Sequence, residues 1–424
     1  MDSVKDYKFH DLQYGFIEQR STNMAISTAN DIIDYFNCRN TPVFACALDA
    51  EMAFDGIPHP ILLQKAIDVI PVPWWRILFV WYSNIEVKVK FNGMYSDSFK
   101  IMKGTRQGGL TSPFLFNLFY QDLIDSLSNL NSGLKINTVS YNVFAYADDL
   151  LLLSSTATGL QRLIDHANSY ICQNGLGFNA NKTKCAIFGK CHLSPQPTWF
   201  LDRSPLKLCD DLDYLGATLS TNCATAHKNN RLAACRGRYF TLQSAGMHRG
   251  GVKPSILAYL WKSAIQPALT YANETVALHT SQLIEMDKLQ AKLIKNSLGF
   301  SKYLRSTALL KAMQIKHVSR TIPVNSMKLL RTMFTSQTRS RQFYLHACKN
   351  FCVKDNNLYI RCRKFSESQN ISLTNVILSQ LCFKNFQRKC LHDCNDGLSD
   401  SISMLLRSFT TEDQRFIKML LSPF

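Results

Sequence analysis

The stretch VFAYADDLLLLSS, residues 143–155, places two adjacent aspartates, Asp148 and Asp149, between two apolar runs. Carboxylates that face each other in apolar surroundings repel and lose hydration, so both stay ionised only where a cation lies close to them. Two short apolar segments around a polar pair are typical of a β-hairpin. The dipeptide alone is also compatible with a solvated hairpin tip without function, so its interpretation depends on the rest of the chain.

The composition is that of a folded, soluble, intracellular protein. With 424 residues and 46% hydrophobic side chains, the chain is long enough for two or three domains. No basic and apolar N-terminal segment marks a signal peptide, and apolar runs such as residues 150–153 are too short to span a bilayer. Fourteen cysteines without a framework spacing favour reduced thiols. We expect a cytoplasmic or nuclear protein that is not secreted and has no membrane partner.

The net charge of +17 is concentrated in the C-terminal half. Residues 1–220 carry 18 Lys and Arg against 21 Asp and Glu, whereas residues 221–424 carry 30 against 10. Such an excess is typical of a surface that binds a polyanion, because each neutralised phosphate releases condensed counterions. A solvated basic face without a partner is the alternative that the charge count leaves open.

The first half of the chain mixes predicted strands and helices. Hydrophobic periodicity predicts a buried strand over 43–49, a helix over 59–70, an alternating strand over 85–91 and a helix over 112–130. Asn92 and Gly93 follow the alternating strand and predict a hairpin turn. Ser112 is the predicted N-cap of the last helix, with Pro113 in its first turn.

From about residue 223 the pattern becomes helical. Residues 281–300 carry apolar side chains at helical spacing, and Gly299 provides a C-terminal stop. After about residue 321 the helical pattern is looser and has few caps.

Three separated stretches of the first half are expected to converge on one site, and two of them supply acidic groups. They are ALDAEMAFDGIPHP (47–60), KGTRQGGLTSPFLFNL (103–118) and FAYADDLLLL (144–153). Asp49 ends a predicted strand and would meet Asp148 if the two strands are neighbours, with Asp149 as a third carboxylate. Hard oxygen ligands of this kind suit Mg²⁺ bound together with substrate phosphates.

These stretches resemble the palm motifs of reverse transcriptases, specifically those of non-LTR (LINE-like) retrotransposons. QYGFIEQRST (13–22) resembles the motif ahead of the palm, GLGFNANKTK (175–184) the lysine-bearing loop, and DYLGATLS (213–220) the primer-grip turn. Six motifs in the family's order are a specific signal. Residues 265–278 and 289–300 resemble the thumb and post-thumb region.

The resemblance implies an α+β fold of the right-hand polymerase type. It implies a palm with partial fingers in residues 1–220, an all-helical thumb and post-thumb region in 221–320, and a basic helical C-terminal region in 321–424. Family members carry further fingers strands ahead of the QYGF motif, and these are absent here, so we expect truncated fingers.

The resemblance also implies an RNA-directed DNA polymerase that transfers a dNTP to a primer 3′-hydroxyl on an RNA template. Two Mg²⁺ ions, or Mn²⁺ in their place, would lie about 4 Å apart. Asp49 and Asp148 are expected to contact both ions, and Asp149 to be the weaker ligand. Primer-end binding is assigned by resemblance to Tyr214, Leu215 and Gly216.

The nucleotide pocket is implied by the same motif match. Phe54 would lie under the incoming sugar and exclude a 2′-hydroxyl, while Gln107 and Gly108 would line the pocket. Arg20 is the candidate to share triphosphate binding, and Lys182 is the candidate proton donor to pyrophosphate, with Lys184 as its alternative. Candidates for phosphate contacts on the template–primer duplex in the thumb are Arg231, Arg236, Arg238 and Arg249.

Three alternatives compete with parts of this interpretation. A catalytically silent nucleic-acid-binding protein would share the fold and the basic thumb, and an intron-type maturase would share the acidic hairpin. No zinc is expected, because the spacing of Cys382, Cys390, His392 and Cys394 fits neither a zinc knuckle nor the common paired-cysteine sites.

Overall fold

A computed structural model describes seven ranges of the chain, which are 7–106, 108–220, 223–249, 251–336, 338–350, 357–369 and 371–378. The chain divides into two compact units. Unit 1 comprises Met1–Thr221 and Ser336–Asp355, and unit 2 comprises Asn222–Thr335 and Asn356–Phe424. Helices and strands are mixed in unit 1, as the sequence predicts for an α+β protein.

The described helices of unit 1 are α1 (Thr22–Asn37), α2 (Ala53–Gly56), α3 (His59–Ile67), α4 (Val72–Ser83), α5 (Ser112–Asn129), α6 (Ala157–Gln173) and α13 (Arg339–Lys349). Its described strands are β1 (Val43–Leu48), β2 (Glu86–Val87), β3 (Lys90–Phe91), β4 (Met94–Tyr95), β5 (Phe99–Lys100), β6 (Lys135–Ile136), β7 (Val139–Ser140), β8 (Val143–Tyr146), β9 (Asp149–Ser154), β10 (Lys184–Phe188), β11 (Phe200–Leu201), β12 (Ser204–Pro205), β13 (Lys207–Cys209), β14 (Asp211–Tyr214) and β15 (Ala217–Ser220).

A five-stranded sheet organises unit 1, with the strand order β13-β10-β1-β9-β8. Neighbouring strands are antiparallel except β10 and β13, which are parallel. β1 lies at the centre, and residues 150–153 of β9 are buried on both faces, which explains why this strand is continuously apolar. Helix α6 contacts β1 and β9, and α5 contacts β8, so the sheet is covered by helices.

Helix α13 packs within unit 1 although it follows the predicted thumb in sequence. The Tyr344 hydroxyl donates to Asp31 Oδ2 at 2.6 Å, and Arg339 Nη1 donates to the Ser140 carbonyl oxygen at 2.6 Å. The hydroxyls of Tyr14 and Ser340 lie 2.8 Å apart. Buried polar contacts of this kind are costly to break, so they fix α13 against α1 and the segment ahead of it.

The segment 72–102 of unit 1 exposes many apolar side chains. Trp74 on α4 is 50% exposed, and Phe91 on β3 is 71% exposed. The single strand predicted over 85–91 is wrong, because β2 pairs with β5 while β3 pairs with β4. The predicted turn at Asn92 and Gly93 is confirmed by their positive φ values of 48° and 83°.

Two predicted helices of unit 1 differ slightly from the observed ones. The helix predicted over 59–70 ends at Ile67. The N-cap predicted at Ser112 is wrong by one position, because Thr111 precedes the first helical residue of α5. The Ser112 hydroxyl instead donates to the Arg106 carbonyl oxygen at 2.5 Å, which ties the preceding loop to the helix.

The described part of unit 2 forms helices and their connections. Its α-helices are α7 (Cys223–Ser244), α8 (Pro254–Leu260), α9 (Gln266–Thr270), α10 (Thr280–Leu298), α11 (Ser306–Ala312), α12 (Val318–Thr335), α14 (Leu358–Ser368) and α15 (Leu373–Leu378), with a π-helical turn at Trp261–Ile265 and a 3₁₀ turn at Asn273–Thr275.

The core of unit 2 includes Trp261, Ile265 and Met286, all fully buried. The helix predicted over 281–300 is confirmed by α10, and Gly299 ends it with φ 69°. Among the described residues, no helix combines the length and the apolar character needed to cross a membrane.

Candidate active site

Strand pairing brings Asp49 to the aspartate hairpin, by which we mean β8, β9 and the turn between them. Leu48 pairs with Leu150 across the antiparallel strands β1 and β9. Asp49 follows Leu48 and Asp149 precedes Leu150, so each aspartate lies one residue beyond the last position at which β1 and β9 pair, and their charges interact. Asp148 lies in the turn, directly before Asp149, which is the first residue of β9. We call Asp49, Asp148 and Asp149 the acidic cluster.

The charges of the acidic cluster interact with one another. Partial burial raises the pKa of Asp148, and the charge of Asp49 raises it further. The pKa of Asp149 is raised to about 6, first by desolvation and then by the charges of Asp148 and Asp49. A raised carboxyl pKa means that the site favours either a proton or another positive charge.

A divalent ion fits the acidic cluster by donor chemistry. Carboxylate oxygens are the ligands that Mg²⁺ prefers, and the mutual repulsion of these groups would be relieved by a cation. In the described residues no group of three His, Cys, Asp or Glu side chains is already arranged to hold a metal. The cysteines and histidine of the zinc alternative, residues 382–394, lie outside the described residues.

The lysine-bearing loop is attached to the strand end that carries Asp49. The Asn179 backbone N–H donates to the Asp49 carbonyl oxygen at 2.8 Å, and the Asp49 N–H donates to Thr183 Oγ1 at 3.3 Å. Lys182 Nζ lies 3.7 Å from Asp49 Oδ2, with 68% of the lysine side chain exposed. Lys184 lies on β10, where it pairs with Ala47. The described ion pair at Asp49 is thus made by Lys182.

The turn of the aspartate hairpin contacts the QYGF segment. Gln13 Oε1 accepts the backbone N–H groups of Gly15, at 3.0 Å, and Ala147, at 3.1 Å. The Tyr14 N–H donates to the Ala145 carbonyl oxygen at 2.8 Å. Sequence analysis did not single out Gln13, although the motif that contains it was the available signal.

The glycine-rich loop 103–109 contacts the residues around Phe54. The Thr105 N–H donates to the Phe54 carbonyl oxygen at 2.8 Å, and the Gly104 N–H donates to the Ile57 carbonyl oxygen at 2.7 Å. The ring of Phe54 stacks on Phe116 with centroids 4.1 Å apart. These contacts hold the loop and the aromatic ring against the segment that follows Asp49 in the chain.

Of the two pocket residues predicted in this loop, Gly108 is among the described residues. Gly108 has φ 78°, and a Cβ atom there would meet open space. Glycine is thus required by the backbone conformation, and its main chain is open to a ligand. Gln107 lies outside the described residues.

His59 also connects the loop to α3, and sequence analysis did not identify it. Its Nε2 lies 2.8 Å from the Gly104 carbonyl oxygen, and its ring packs edge-on against Tyr82. The side chain is buried, so the hydrogen bond fixes the start of the loop. The only sequence feature that marks His59 is its position three residues after AFDG, and that position does not distinguish it from an ordinary buried histidine.

The predicted primer-grip turn connects β14 and β15. Leu215 and Gly216 have φ values of 51° and 72°, which form the tight turn. The buried Tyr214 hydroxyl donates to the Phe144 carbonyl oxygen at 3.3 Å. The charge of Asp149 contributes to a raised Tyr214 pKa, after burial and Tyr14. The turn therefore lies close to the aspartate hairpin.

Arg20 is engaged inside unit 1. Its Nη1 donates to the carbonyl oxygens of His10, at 2.6 Å, and Gln13, and only 11% of its side chain is exposed. Burial lowers the pKa of the guanidinium. These hydrogen bonds hold Arg20 against the N-terminal segment, and its proposed contact with the triphosphate stays a prediction.

The four candidate arginines of unit 2 are in two environments. Arg231 lies with its guanidinium carbon 5.5 Å from the centroid of the Tyr271 ring, and burial lowers its pKa. Arg236, Arg238 and Arg249 are exposed. Arg238 donates to the Ala264 carbonyl oxygen at 3.2 Å, and the Arg249 side chain lies against Gly299.

Comparisons with known proteins agree with the motif assignment. The protein-family model described as reverse transcriptase (RNA-dependent DNA polymerase) matches residues 2–219. A Pol polyprotein from the type-2 retrotransposable element R2DM of Drosophila melanogaster is 30% identical over 181 residues, which are 40% of this chain and 17% of that protein. An RNA-directed DNA polymerase from the mobile element jockey of Drosophila funebris is 23% identical over 270 residues, 62% of this chain and 29% of that protein.

A solved structure of telomerase from Candida albicans, in complex with a fragment of telomeric RNA, aligns with a TM-score of 0.36 and 10% identity, covering 83% of this chain and 55% of that one. The chain spans less than a third of the length of the two retrotransposon proteins named above. The predicted resemblance to non-LTR retrotransposon enzymes is confirmed. Because the family match covers just over half of its residues, the chain belongs to the reverse transcriptase (RNA-dependent DNA polymerase) family.

Proposed function

We propose that this chain is an RNA-directed DNA polymerase that adds deoxynucleotides to a primer 3′-hydroxyl on an RNA template. The observation that carries the proposal is the pairing of β1 with β9, which aligns Asp49 with the aspartate hairpin. Membership of the reverse transcriptase family supports the assignment. In this proposal the sheet of unit 1 is the palm, segment 72–102 belongs to the fingers, and α7 to α11 form the thumb and post-thumb region.

The acidic cluster would hold two Mg²⁺ ions, or Mn²⁺ in their place. Asp49 and Asp148 are the proposed ligands of both ions, and Asp149 is the weaker one. When bound, such ions lower the pKa of the primer hydroxyl and neutralise charge on the leaving pyrophosphate. Desolvation, and then repulsion between the carboxylates, raises the pKa of Asp148 and Asp149; a bound cation would offset both effects, which supports this assignment.

The neighbouring side chains would bind and orient the nucleotide. Lys182, exposed beside Asp49, would donate a proton to the pyrophosphate as it leaves. The ring of Phe54, which stacks on Phe116, would lie under the incoming sugar and exclude a 2′-hydroxyl. The open main chain at Gly108 would allow close approach of the nucleotide, and Gln107 is proposed as its neighbour in the pocket.

The primer and the duplex would be bound further from the reacting atoms. The turn at Tyr214, Leu215 and Gly216 would hold the primer end beside the aspartate hairpin. Arg236, Arg238 and Arg249, which are exposed, and Arg231 would contact duplex phosphates. An intracellular location, in cytoplasm or nucleus, agrees with these partners and stays a prediction.

Primer extension on an RNA template tests the proposal. The full chain is incubated with a DNA primer, the four dNTPs and Mg²⁺, next to the Asp148→Asn variant. We expect extension by the native chain and none by the variant, with duplex binding by both. Native binding without extension would contradict the polymerase assignment and favour a silent nucleic-acid-binding protein.

A further inference from the structure

The turn that carries Asp148 has an unusual backbone. Tyr146 pairs with Asp149, so only Ala147 and Asp148 form the turn. Ala147 is buried and has φ 55°, in the left-handed region that alanine seldom adopts. Such a conformation persists only when the surroundings fix it.

The contact that fixes this turn comes from Gln13. The side chain is fully buried, and its Oε1 accepts the Ala147 N–H at 3.1 Å while also accepting the Gly15 N–H at 3.0 Å. Within the described residues, Gln13 Nε2 has no hydrogen-bond partner. The described hydrogen bonds of the Gln13 side chain are therefore the two that its oxygen accepts.

The approach of this segment to the turn is as close as the backbone permits. A Cβ atom on Gly15 would lie 2.5 Å from the Ala147 nitrogen, so only glycine fits. Asn117 Nδ2, on α5, donates to the Gly15 carbonyl oxygen at 2.8 Å. Gly15, two residues after Gln13, is thus held from a second direction by α5, which packs on β8.

We propose that Gln13 is a positioning residue that sets the direction of the Asp148 carboxylate by binding the N–H of Ala147. The proposal rests on the polymerase function proposed above. Without Oε1 the Ala147 N–H loses its acceptor, and the turn relaxes towards an ordinary backbone conformation. A shift of about 1 Å in a reacting group is enough to reduce a rate about a hundredfold.

The test compares Gln13→Met with Gln13→Glu in the full chain. Methionine keeps the volume and removes the acceptor, whereas glutamate keeps an oxygen at the Oε1 position. Tyr14→Phe is the matched control, since it removes a buried hydroxyl that contacts Ser340 and not the turn. Amide hydrogen exchange at Ala147 is measured without metal or substrate, and single-nucleotide incorporation is measured separately.

We expect Gln13→Met to speed exchange at Ala147 and to lower kcat about 10- to 100-fold, with the KM for dNTP changed less than about threefold. Gln13→Glu should restore slow exchange, and Tyr14→Phe should change neither quantity. Unchanged exchange and unchanged kcat in Gln13→Met would overturn the proposal. If Gln13→Met does not fold, the native chain and Gln13→Glu are compared instead. Exchange at Ala147 in the native chain as fast as at the exposed hairpin residue Gly93 would contradict the contact. Exchange at Ala147 that is slower than at Gly93 in both proteins would support it.

The experiments distinguish a failure of the proposed polymerase function from a failure of the positioning role of Gln13. A native chain that does not extend primers contradicts the polymerase function, while the exchange at Ala147 still reports on the contact. A native chain that extends primers, together with a Gln13→Met variant of native kcat, contradicts only the role of Gln13.

Discussion

Two regions of unit 1 show opposite relations between sequence and structure: the aspartate hairpin with its neighbours, and segment 72–102. In the hairpin, Leu150 to Leu153 are buried and the turn is held by Gln13. In segment 72–102, side chains as large as Trp74 and Phe91 are half exposed or more. The comparison teaches that the proposed catalytic geometry lies among buried partners, whereas much of segment 72–102 lies at the surface and is attached mainly through the contacts of α4 with α3.

The largest effect should follow from removing one charge of the acidic cluster. Asp49→Asn keeps the size of the side chain and removes a proposed ligand, so we expect single-nucleotide incorporation to fall about a thousandfold or more, with duplex binding retained. Asp97→Asn, in segment 72–102, is the matched control and should leave the rate unchanged. Equal losses in the two variants would end the distinction between the regions.

A core truncation should separate the regions by stability. Leu151 on β9 is fully buried opposite Ala47, so Leu151→Ala should lower the free energy of unfolding by about 2–5 kcal/mol. Val89 is 56% exposed, so Val89→Ala should lower the free energy of unfolding by less than about 0.5 kcal/mol. Urea denaturation monitored by circular dichroism measures both. A similar cost at the two positions would mean that segment 72–102 is covered in solution.

A pH effect should arise from His10, which lies beside the QYGF segment. Burial, then the charges of Arg339 and Arg20, lower its pKa to about 3. Its Nδ1 accepts the Leu12 N–H at 3.1 Å, which needs the neutral ring. The unfolded chain binds a proton near the ordinary pKa of 6.5, so stability is lost as pH falls from about 6.5 towards 3.

The loss attributable to His10 between pH 7 and pH 5 is about 2 kcal/mol. Urea midpoints at the two pH values, for the native chain and His10→Gln, isolate this contribution because all other groups are shared. The variant should show a smaller decrease. The same decrease in both proteins would mean that His10 is not held neutral.

The smallest effect concerns Phe54, which stacks on Phe116. Phe54→Ala opens the space beside Phe116, so incorporation of ribonucleotides relative to deoxynucleotides should rise about tenfold. Competition between dCTP and CTP in single-nucleotide incorporation measures this ratio. An unchanged ratio would remove Phe54 from the sugar pocket and leave it as a core aromatic residue.

The sequence was most informative where local pattern and tertiary structure agree. The strand over 43–49, the helix over 281–300 and the turn at Asn92 and Gly93 could each be predicted from periodicity or turn chemistry. Alternation over 85–91 predicted one strand, but the chain there divides between two partners. Alternation of apolar and polar residues indicates which side chains share a face of a strand, but it does not indicate which strand pairs with it.

The candidate site was predictable in its acidic residues and not in the contacts that hold them. Asp49, Asp148 and Asp149 could be named because carboxylates at strand ends have a distinct chemistry. Gln13 and His59 make hydrogen bonds to backbone groups that lie 134 and 45 residues away in the chain, and a local sequence pattern does not identify such partners. The packing of α13 within unit 1 was hidden for the same reason, since its contacts lie some 200 to 330 residues away.

Mn²⁺ binding measured by electron paramagnetic resonance tests the central claim most directly, because it reports whether carboxylates from β1 and the aspartate hairpin share ions. Native chain, Asp49→Asn and Asp148→Asn are titrated with Mn²⁺ in the presence of a primer–template duplex and a non-hydrolysable dNTP analogue. We predict that the native chain binds two ions and that each variant loses or weakens binding of both. Full binding by Asp49→Asn, with loss only in Asp148→Asn, would contradict the shared site.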